Sequence, residues 1–386
     1  MVSFCKGDYS LALDYFNKSL GVCLEAFGES HSMVANIYNN IGMVYYKNGK
    51  FPLALEYFNK ALEIRTEILG EHHLSVAESY NNIGLVYYST GEYPRALDYY
   101  NRSKDVALEI LGERHAFVAT LYSNIGLLYG CTAKYARALE FYNKSLDVRV
   151  EVLGKKHPDV AASYVNIGLA HYSNSDFSSA LEYYNKALDV YMEVFDERHS
   201  SVADLYVNIG LTHYYESNYS LAQEFCNKAL DIYMEVFDER HPNVALLYNN
   251  LGMIYDDMGE YSSALEYYRK ALDINIEVIG ERCINVAMSY NNIGVTYDNM
   301  GEYSLALENY KKALDIGREL LDECHPEIVR TMENIAVAYM KQDDKDKALP
   351  YARRAADAGS ERCKEILYSN GYKMTPKLEK KQSLKQ

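Results

Sequence analysis

Apolar positions recur along this chain with a helical period inside short segments, and the segments themselves repeat. Between Ser75 and Gly91, Val76, Tyr80, Ile83 and Tyr87 fall at steps of three and four residues, the spacing of one helix face, and Gly91 supplies a stop. A second amphipathic run follows at once, with Tyr93, Ala96, Leu97 and Tyr100 on one face and its end at Gly112. The pattern predicts two antiparallel helices joined by a tight turn. Gly84 and Ala96 are small enough to let those helices approach closely. A glycine inside a helix costs about 1 kcal/mol of propensity, so Gly84 marks a contact that needs the space.

The hairpin is one unit of an array. Ile41-Gly42, Ile83-Gly84, Ile125-Gly126, Ile167-Gly168, Ile209-Gly210, Leu251-Gly252, Ile293-Gly294 and Ile335-Ala336 each stand 42 residues after the last. Alanines keep the same step from Ala12 to Ala348, with no insertion. Acid-then-base pairs four apart, such as Glu56/Lys60, Glu140/Lys144, Glu182/Lys186, Glu266/Lys270 and Glu308/Lys312, mark the exposed side of the second helices. Pro158, Pro242 and Pro326 fall where proline fits best, in a first helical turn.

The array divides the chain into residues 1–30, an incomplete unit that is mainly a second helix; 31–357, eight consecutive units with the last shortened; and 358–386, a capping helix over about 360–369 and a basic tail. Met1–Gly7 aligns with Met43–Gly49, so the first unit begins inside a first helix and leaves Leu13 and Phe16 under-covered. Truncation of a longer protein, or contact of that face with another chain, would account for it, and truncation is the favoured expectation. The last 14 residues carry five lysines against Glu379 and are expected to be disordered.

Composition narrows the function. The 39 tyrosines, with no tryptophan, imply a repeated structural slot. A net charge of −15 disfavours nucleic acid or an anionic membrane as partner. The seven cysteines follow neither disulfide nor zinc spacing, and no apolar run is long enough to span a bilayer, so a cytoplasmic protein is expected. Phosphate-binding glycine loops, nucleophile elbows and metalloprotease motifs are absent; no catalytic residue and no cofactor is expected. The junction histidines His31, His73, His115, His157, His199, His241 and His325 lie one repeat apart, too far to share an ion, so they are expected to serve loop packing and helix starts. His171 and His213 stand in tyrosine slots and read as interior imidazoles.

The motif aromatic-x-x-Ile-Gly-x-x-Tyr, followed by Gly-x-Tyr-x-x-Ala-x-x-x-Tyr, resembles the tetratricopeptide repeat. The 42-residue unit with its Asp-Glu-Arg-His junction is most similar to the kinesin light chain and nephrocystin branch. The resemblance covers about residues 1–357. It implies an all-α fold, a right-handed α-solenoid whose first helices line a concave wall, and a protein-binding scaffold. It also implies a role for the asparagine kept in every first helix: Asn40, Asn82, Asn124, Asn166, Asn208, Asn250, Asn292 and Asn334. Such an amide bonds the backbone of an extended peptide without reading its side chains. The alternative is a bond to the adjacent repeat, and peptide contact is favoured in the central units. Neighbours one or two turns away, among them Leu169, Leu211, Leu246, Met253, Asp257 and Met288, would set specificity. The wall turns acidic near Asp204, Asp256, Asp257 and Asp298. The expected partner is therefore a neutral to basic peptide with apolar anchors. Kinesin light chains take acidic cargo in basic grooves, which this sequence lacks, so a cargo adaptor of that kind is the minor alternative. Self-association through the open N-terminal face is a further expectation.

Overall fold

The computed structural model describes residues 9–371. The alignment of Met1–Gly7 and the tail after residue 372 lie outside the described residues. Helix α1 (Tyr9–Phe27) precedes eight hairpins: α2/α3 (Ser32–Lys47, Phe51–Leu69), α4/α5 (Leu74–Ser89, Tyr93–Leu111), α6/α7 (Ala116–Cys131, Tyr135–Leu153) and α8/α9 (Pro158–Ser173, Phe177–Val194). They continue as α10/α11 (Ser200–Tyr215, Tyr219–Val236), α12/α13 (Pro242–Asp257, Tyr261–Val278), α14/α15 (Ile284–Asn299, Tyr303–Leu320) and α16/α17 (Pro326–Lys341, Lys345–Asp357), closed by α18 (Glu361–Ser369). No strand occurs among the described residues. The chain forms two compact units, Met1–Glu197 and Arg198–Gln386. Each is a stack of hairpins, and the α-solenoid architecture is that expected from the repeat.

Each first helix begins on its junction residue. In seven of the eight hairpins a histidine precedes the helix and its Nδ1 accepts the backbone N–H two residues on, as from Ser75 to His73 (3.1 Å) and Asn243 to His241 (3.2 Å). That bond satisfies one of the amides a helix start leaves open. Cys283 holds the seventh slot and makes no such bond. Pro158, Pro242 and Pro326 open their helices. The turn to the second helix needs one left-handed residue. Gly49, Gly91, Gly259 and Gly301 supply it in four hairpins, and Ala133, Ser175, Ser217 and Asp343 adopt it at φ of 54–61° in the others.

Inside a hairpin the two helices meet at the glycine of the first and a large ring of the second. A Cβ on Gly84 would lie 2.7 Å from the Tyr100 ring, closer than contact allows. Tyr100, Tyr142, Tyr184, Tyr268 and Tyr310, with Phe58, fill this slot and are buried. Gly210 faces Cys226 in place of a ring, and in the last hairpin Ala336 stands in the glycine position where Ala352 replaces the ring. Further aromatics stack beside it, Tyr45 on Tyr57 (5.5 Å) and Tyr87 on Tyr99 (5.5 Å). The Glu-to-Lys pairs form as expected, at 2.7 Å for Glu56/Lys60 and 2.9 Å for Glu140/Lys144, and each lysine also lies over a ring. In α1, Leu13 and Phe16 are half-buried where the equivalent Phe58 is enclosed, and Tyr15 and Val22 are exposed.

Hairpins are tied to one another at their junctions. Arg114 reaches Glu151 (2.8 Å) and Arg198 reaches Glu235 (2.7 Å); Lys156, Arg240 and Arg282 pair with Glu193, Glu277 and Glu319 in the same way. These pairs are exposed and contribute at most about 1 kcal/mol each.

Candidate peptide-binding wall

Positions four, seven and eleven residues apart on each first helix form one stripe, for example Leu246, Asn250, Met253 and Asp257 on α12. Neighbouring first helices present these stripes side by side, and hydrogen bonds between side chains 43 residues apart join them. The bonds fall in two rows, one at the asparagines and one at the C-terminal ends of the helices.

In the first unit the asparagine row is closed. Asn82 Nδ2 donates to Asn39 Oδ1 (2.9 Å), Asn124 to Asn81 (2.9 Å) and Asn166 to Ser123 Oγ (3.2 Å). These amides make the bond to the adjacent repeat that was the less favoured reading, and the reason is the polar residue, Asn39, Asn81 or Ser123, that precedes the asparagine of the repeat before. Asn40 is exposed. The C-terminal row is joined by neutral pairs, Tyr46 with Ser89 (3.1 Å) and Tyr88 with Cys131 (3.3 Å), and carries no acid. Leu169 is exposed on this wall.

In the second unit the asparagine row opens. The acceptor position below Asn250 is held by Val207, and Asn250 Nδ2 is buried without a partner. One repeat on, Asn249 turns its Nδ2 to the Ala245 carbonyl (3.3 Å) and its Oδ1 is also unpartnered, so Asn292 has no bond to it. The row closes again where Asn334 donates to Asn291 (3.2 Å). Asn208, Asn250 and Asn292 are half-buried, as are Leu211 and Met253 between them.

The C-terminal row of this unit carries acid. Tyr214 donates to Asp257 (2.5 Å), Asn299 to Asp256 (2.9 Å) and Lys341 to Asp298 (2.5 Å). Burial pushes the Asp256 carboxyl above the usual carboxylate range, against the opposing effect of hydrogen bonds from Thr296 and Asn299. Oδ1 of both Asp256 and Asp298 is buried without a partner. Burial, and then the neighbouring aspartates, also raise the Tyr268 and Tyr310 phenols. Asp204, the fourth acid anticipated on the wall, is held by the Tyr233 hydroxyl.

Two arginines, Arg65 buried and Arg149 half-buried, escaped sequence reasoning. Arg65 Nη1 donates to the Ser75 carbonyl (2.8 Å) and Ser79 Oγ (2.9 Å), while Nη2 reaches Asn36 Oδ1 (2.9 Å). Arg149 repeats the pattern with the Asp159 carbonyl and Ser163 Oγ. Burial lowers the pKa of both guanidinium groups, partly offset by Glu78 and Asp159. The visible clue is a correlated exchange. Arg65 faces Ser79 and Arg149 faces Ser163, whereas the repeat between them has Ala107 and Leu121.

The histidines in tyrosine slots are half-buried and stacked, His171 on Tyr183 and His213 on Phe225. His171 Nδ1 bonds Asp176 (2.9 Å). His213 Nδ1 comes within 3.4 Å of Glu216 but lacks hydrogen-bond geometry, so this imidazole is not satisfied as expected. No three His, Cys, Asp or Glu side chains group around a metal-sized site among the described residues. A depression of about 340 Å³ is lined by junction and second-helix residues, including Ile276, Arg282, Tyr290 and Lys312, and not by the wall. No described helix is long and apolar enough to cross a membrane.

Tetratricopeptide-repeat models match residues 1–65, 33–109, 76–149, 117–193, 201–277 and 284–360, and a second such model matches 165–236. The chain belongs to the tetratricopeptide repeat family. Among solved structures it is similar to the apo form of RapI, at 18% identity over 74% of this chain and 98% of that one, with a TM-score of 0.56. It is also similar to BtubC (BKLC) from P. vanneervenii, at 24% identity over 63% and 92% of the two chains, TM-score 0.49. Nearly identical TPR-like repeats assigned to a kinesin light chain of Podosopora anserina match at 16% identity over 53% and 96%, TM-score 0.46. No curated protein matches the sequence. The family match and the likeness to RapI show the fold, which is typically a non-catalytic scaffold for protein interactions.

Proposed function

We propose that this chain is a cytoplasmic interaction scaffold whose second unit holds an extended peptide along its first-helix wall. The observation that carries the proposal is the open asparagine row. Asn250 keeps the repeat's amide where Val207 has removed the acceptor, which leaves a buried donor unsatisfied at a cost of about 1–3 kcal/mol. Rotation of the side chain toward the open face of the wall would carry that donor to a bound chain. A peptide carbonyl would then supply the missing partner. Asn208 and Asn292 flank Asn250 at the same height and offer the same groups. Met253 and Leu211 beside them, with exposed Leu246 and Met288, provide apolar contacts for a partner with apolar anchors. The corresponding amides of the first unit are engaged internally, so Asn82, Asn124 and Asn166 are assigned to holding the repeats together.

The test replaces Asn208, Asn250 and Asn292 together by alanine and compares peptide capture with that of the parent chain. Loss of binding with an unchanged helical spectrum is the expected result. Unchanged binding by a folded variant would remove the wall as the site.

A further inference from the structure

We infer that the C-terminal end of the second unit's wall receives a lysine or arginine side chain of the bound segment, about five residues from an apolar anchor. The inference rests on the wall reading above and names the partner's chemistry.

The repeats themselves show what this row requires structurally. Its first position is Tyr46, Tyr88, Gly130, Tyr172 and Tyr214 in five successive repeats, then Asp256 and Asp298, then Met340. A tyrosine hydroxyl closes the row without charge, as Tyr46 does with Ser89. The two aspartates are therefore not needed for repeat packing. With Asp257 they gather three carboxylates, of which Asp298 alone is met by a cation, Lys341. Asp256 and Asp257 receive neutral donors, Thr296 and Asn299 at Asp256 and Tyr214 at Asp257. They are also the last two residues of α12, and Asp298 is next to last in α14, so the negative ends of both helix dipoles oppose them. Burial, dipole and mutual repulsion all favour a positive partner.

The other end of the stripe is apolar. Leu246 is 54% exposed and Met288 39%, with Met253 and Val295 half-buried between them and the acids. Charged residues level with Leu246 are already engaged, Asp204 by Tyr233 and Arg330 by Glu327 (2.5 Å). Leu246 and Asp257 are eleven residues apart on one helix, roughly 16 Å, which an extended chain covers in about five residues. The surface thus pairs an aliphatic patch with an uncompensated negative end at a separation that one short segment spans. An acidic segment would meet repulsion there, and a purely apolar one would leave both carboxylates unpaired.

A random peptide display library, about twelve residues long and so more than twice this span, would be selected on the full chain. Binding of the selected peptides would be measured to the parent chain, Asp256→Asn/Asp257→Asn and Leu246→Asp, each checked by circular dichroism. The expected outcome is enrichment of Lys or Arg near an aliphatic residue, with affinity at least about tenfold weaker for the double Asn variant and lost in high salt. Selected peptides without basic enrichment, or bound equally by the double variant, would overturn the basic-side-chain assignment while leaving the wall intact. Selected peptides that bind Leu246→Asp and the triple alanine variant as well as the parent would instead remove the wall itself. Should the double variant fold poorly, Asp257→Asn alone, at an exposed position, reads the same loss.

Discussion

The two units are built from the same 42-residue hairpin, yet their first-helix walls are in different states. In the first unit each asparagine after Asn40 is tied to the repeat before it, the row at the helix ends carries no acid, and buried Arg65 and half-buried Arg149 fasten successive helices. In the second unit Val207 interrupts the asparagine row, and the helix ends carry Asp256, Asp257 and Asp298. One wall has spent its polar groups on itself, whereas the other leaves an amide and two carboxylate oxygens short of partners. The comparison teaches where function can reside in a repeat array: at the positions where a repeat departs from its siblings although a neutral residue would serve the packing as well.

The largest expected effect comes from breaking the first unit's internal fastening. Arg65→Ala removes three hydrogen bonds from a buried site and should destabilise by about 2–4 kcal/mol in urea unfolding. The pair Arg65→Ala/Ser79→Leu copies Ala107 and Leu121 of the next repeat and should recover at least about 1 kcal/mol of that loss. Additive effects would show that the exchange is not a packing code.

Asp256→Asn makes the opposite change in the second unit. The folded carboxyl is raised above its ordinary value of 3.8, so its contribution is fully favourable below that value and is lost as pH rises through the folded pKa. The Asn variant should therefore be more stable than the parent near neutral pH and equal to it in acid, as urea unfolding at the two pH values would show. Glu140 has the reverse sign. Hydrogen bonds from Lys144 and Arg137 hold it below the usual range, and its contribution is lost as pH falls. Hydrogen exchange of amides in α12–α14 and α6–α7 as a function of pH would separate the two units, and parallel profiles would contradict the contrast.

Smaller effects sharpen the comparison at the turns and caps. Ala133→Gly relieves a left-handed alanine and should stabilise the first unit by about 1 kcal/mol. Cys283→His restores the N-cap that every other hairpin has and should stabilise the second unit by about 0.5–1 kcal/mol in thermal unfolding. No change in either variant would mean that the local geometry is relaxed by its surroundings.

Much of this was legible in the chain because it depends on residues close in sequence. The hairpins, the Gly84 contact, the proline starts and the histidine caps all follow from spacings within one repeat. The asparagine rows did not, because each bond joins residues 43 apart and depends on the residue before the neighbouring repeat's asparagine. Asn250 looks identical to Asn82 until Val207 is set against Asn39. Arg65 was hidden similarly, since its partners Ser75 and Ser79 lie across a junction loop. The division between Glu197 and Arg198 leaves no mark in the register either, as the Asp-Glu-Arg-His motif there is the same as at Asp238–His241.

The most direct test is to close the open row without touching the asparagines. Val207→Asn restores the acceptor beneath Asn250, as Asn39 provides one for Asn82. Titration calorimetry with a library-selected peptide should show affinity at least about tenfold weaker for Val207→Asn than for the parent, with the variant no less stable. An unchanged affinity in a folded Val207→Asn chain would contradict the claim that the freed amide of the second unit is what holds the peptide.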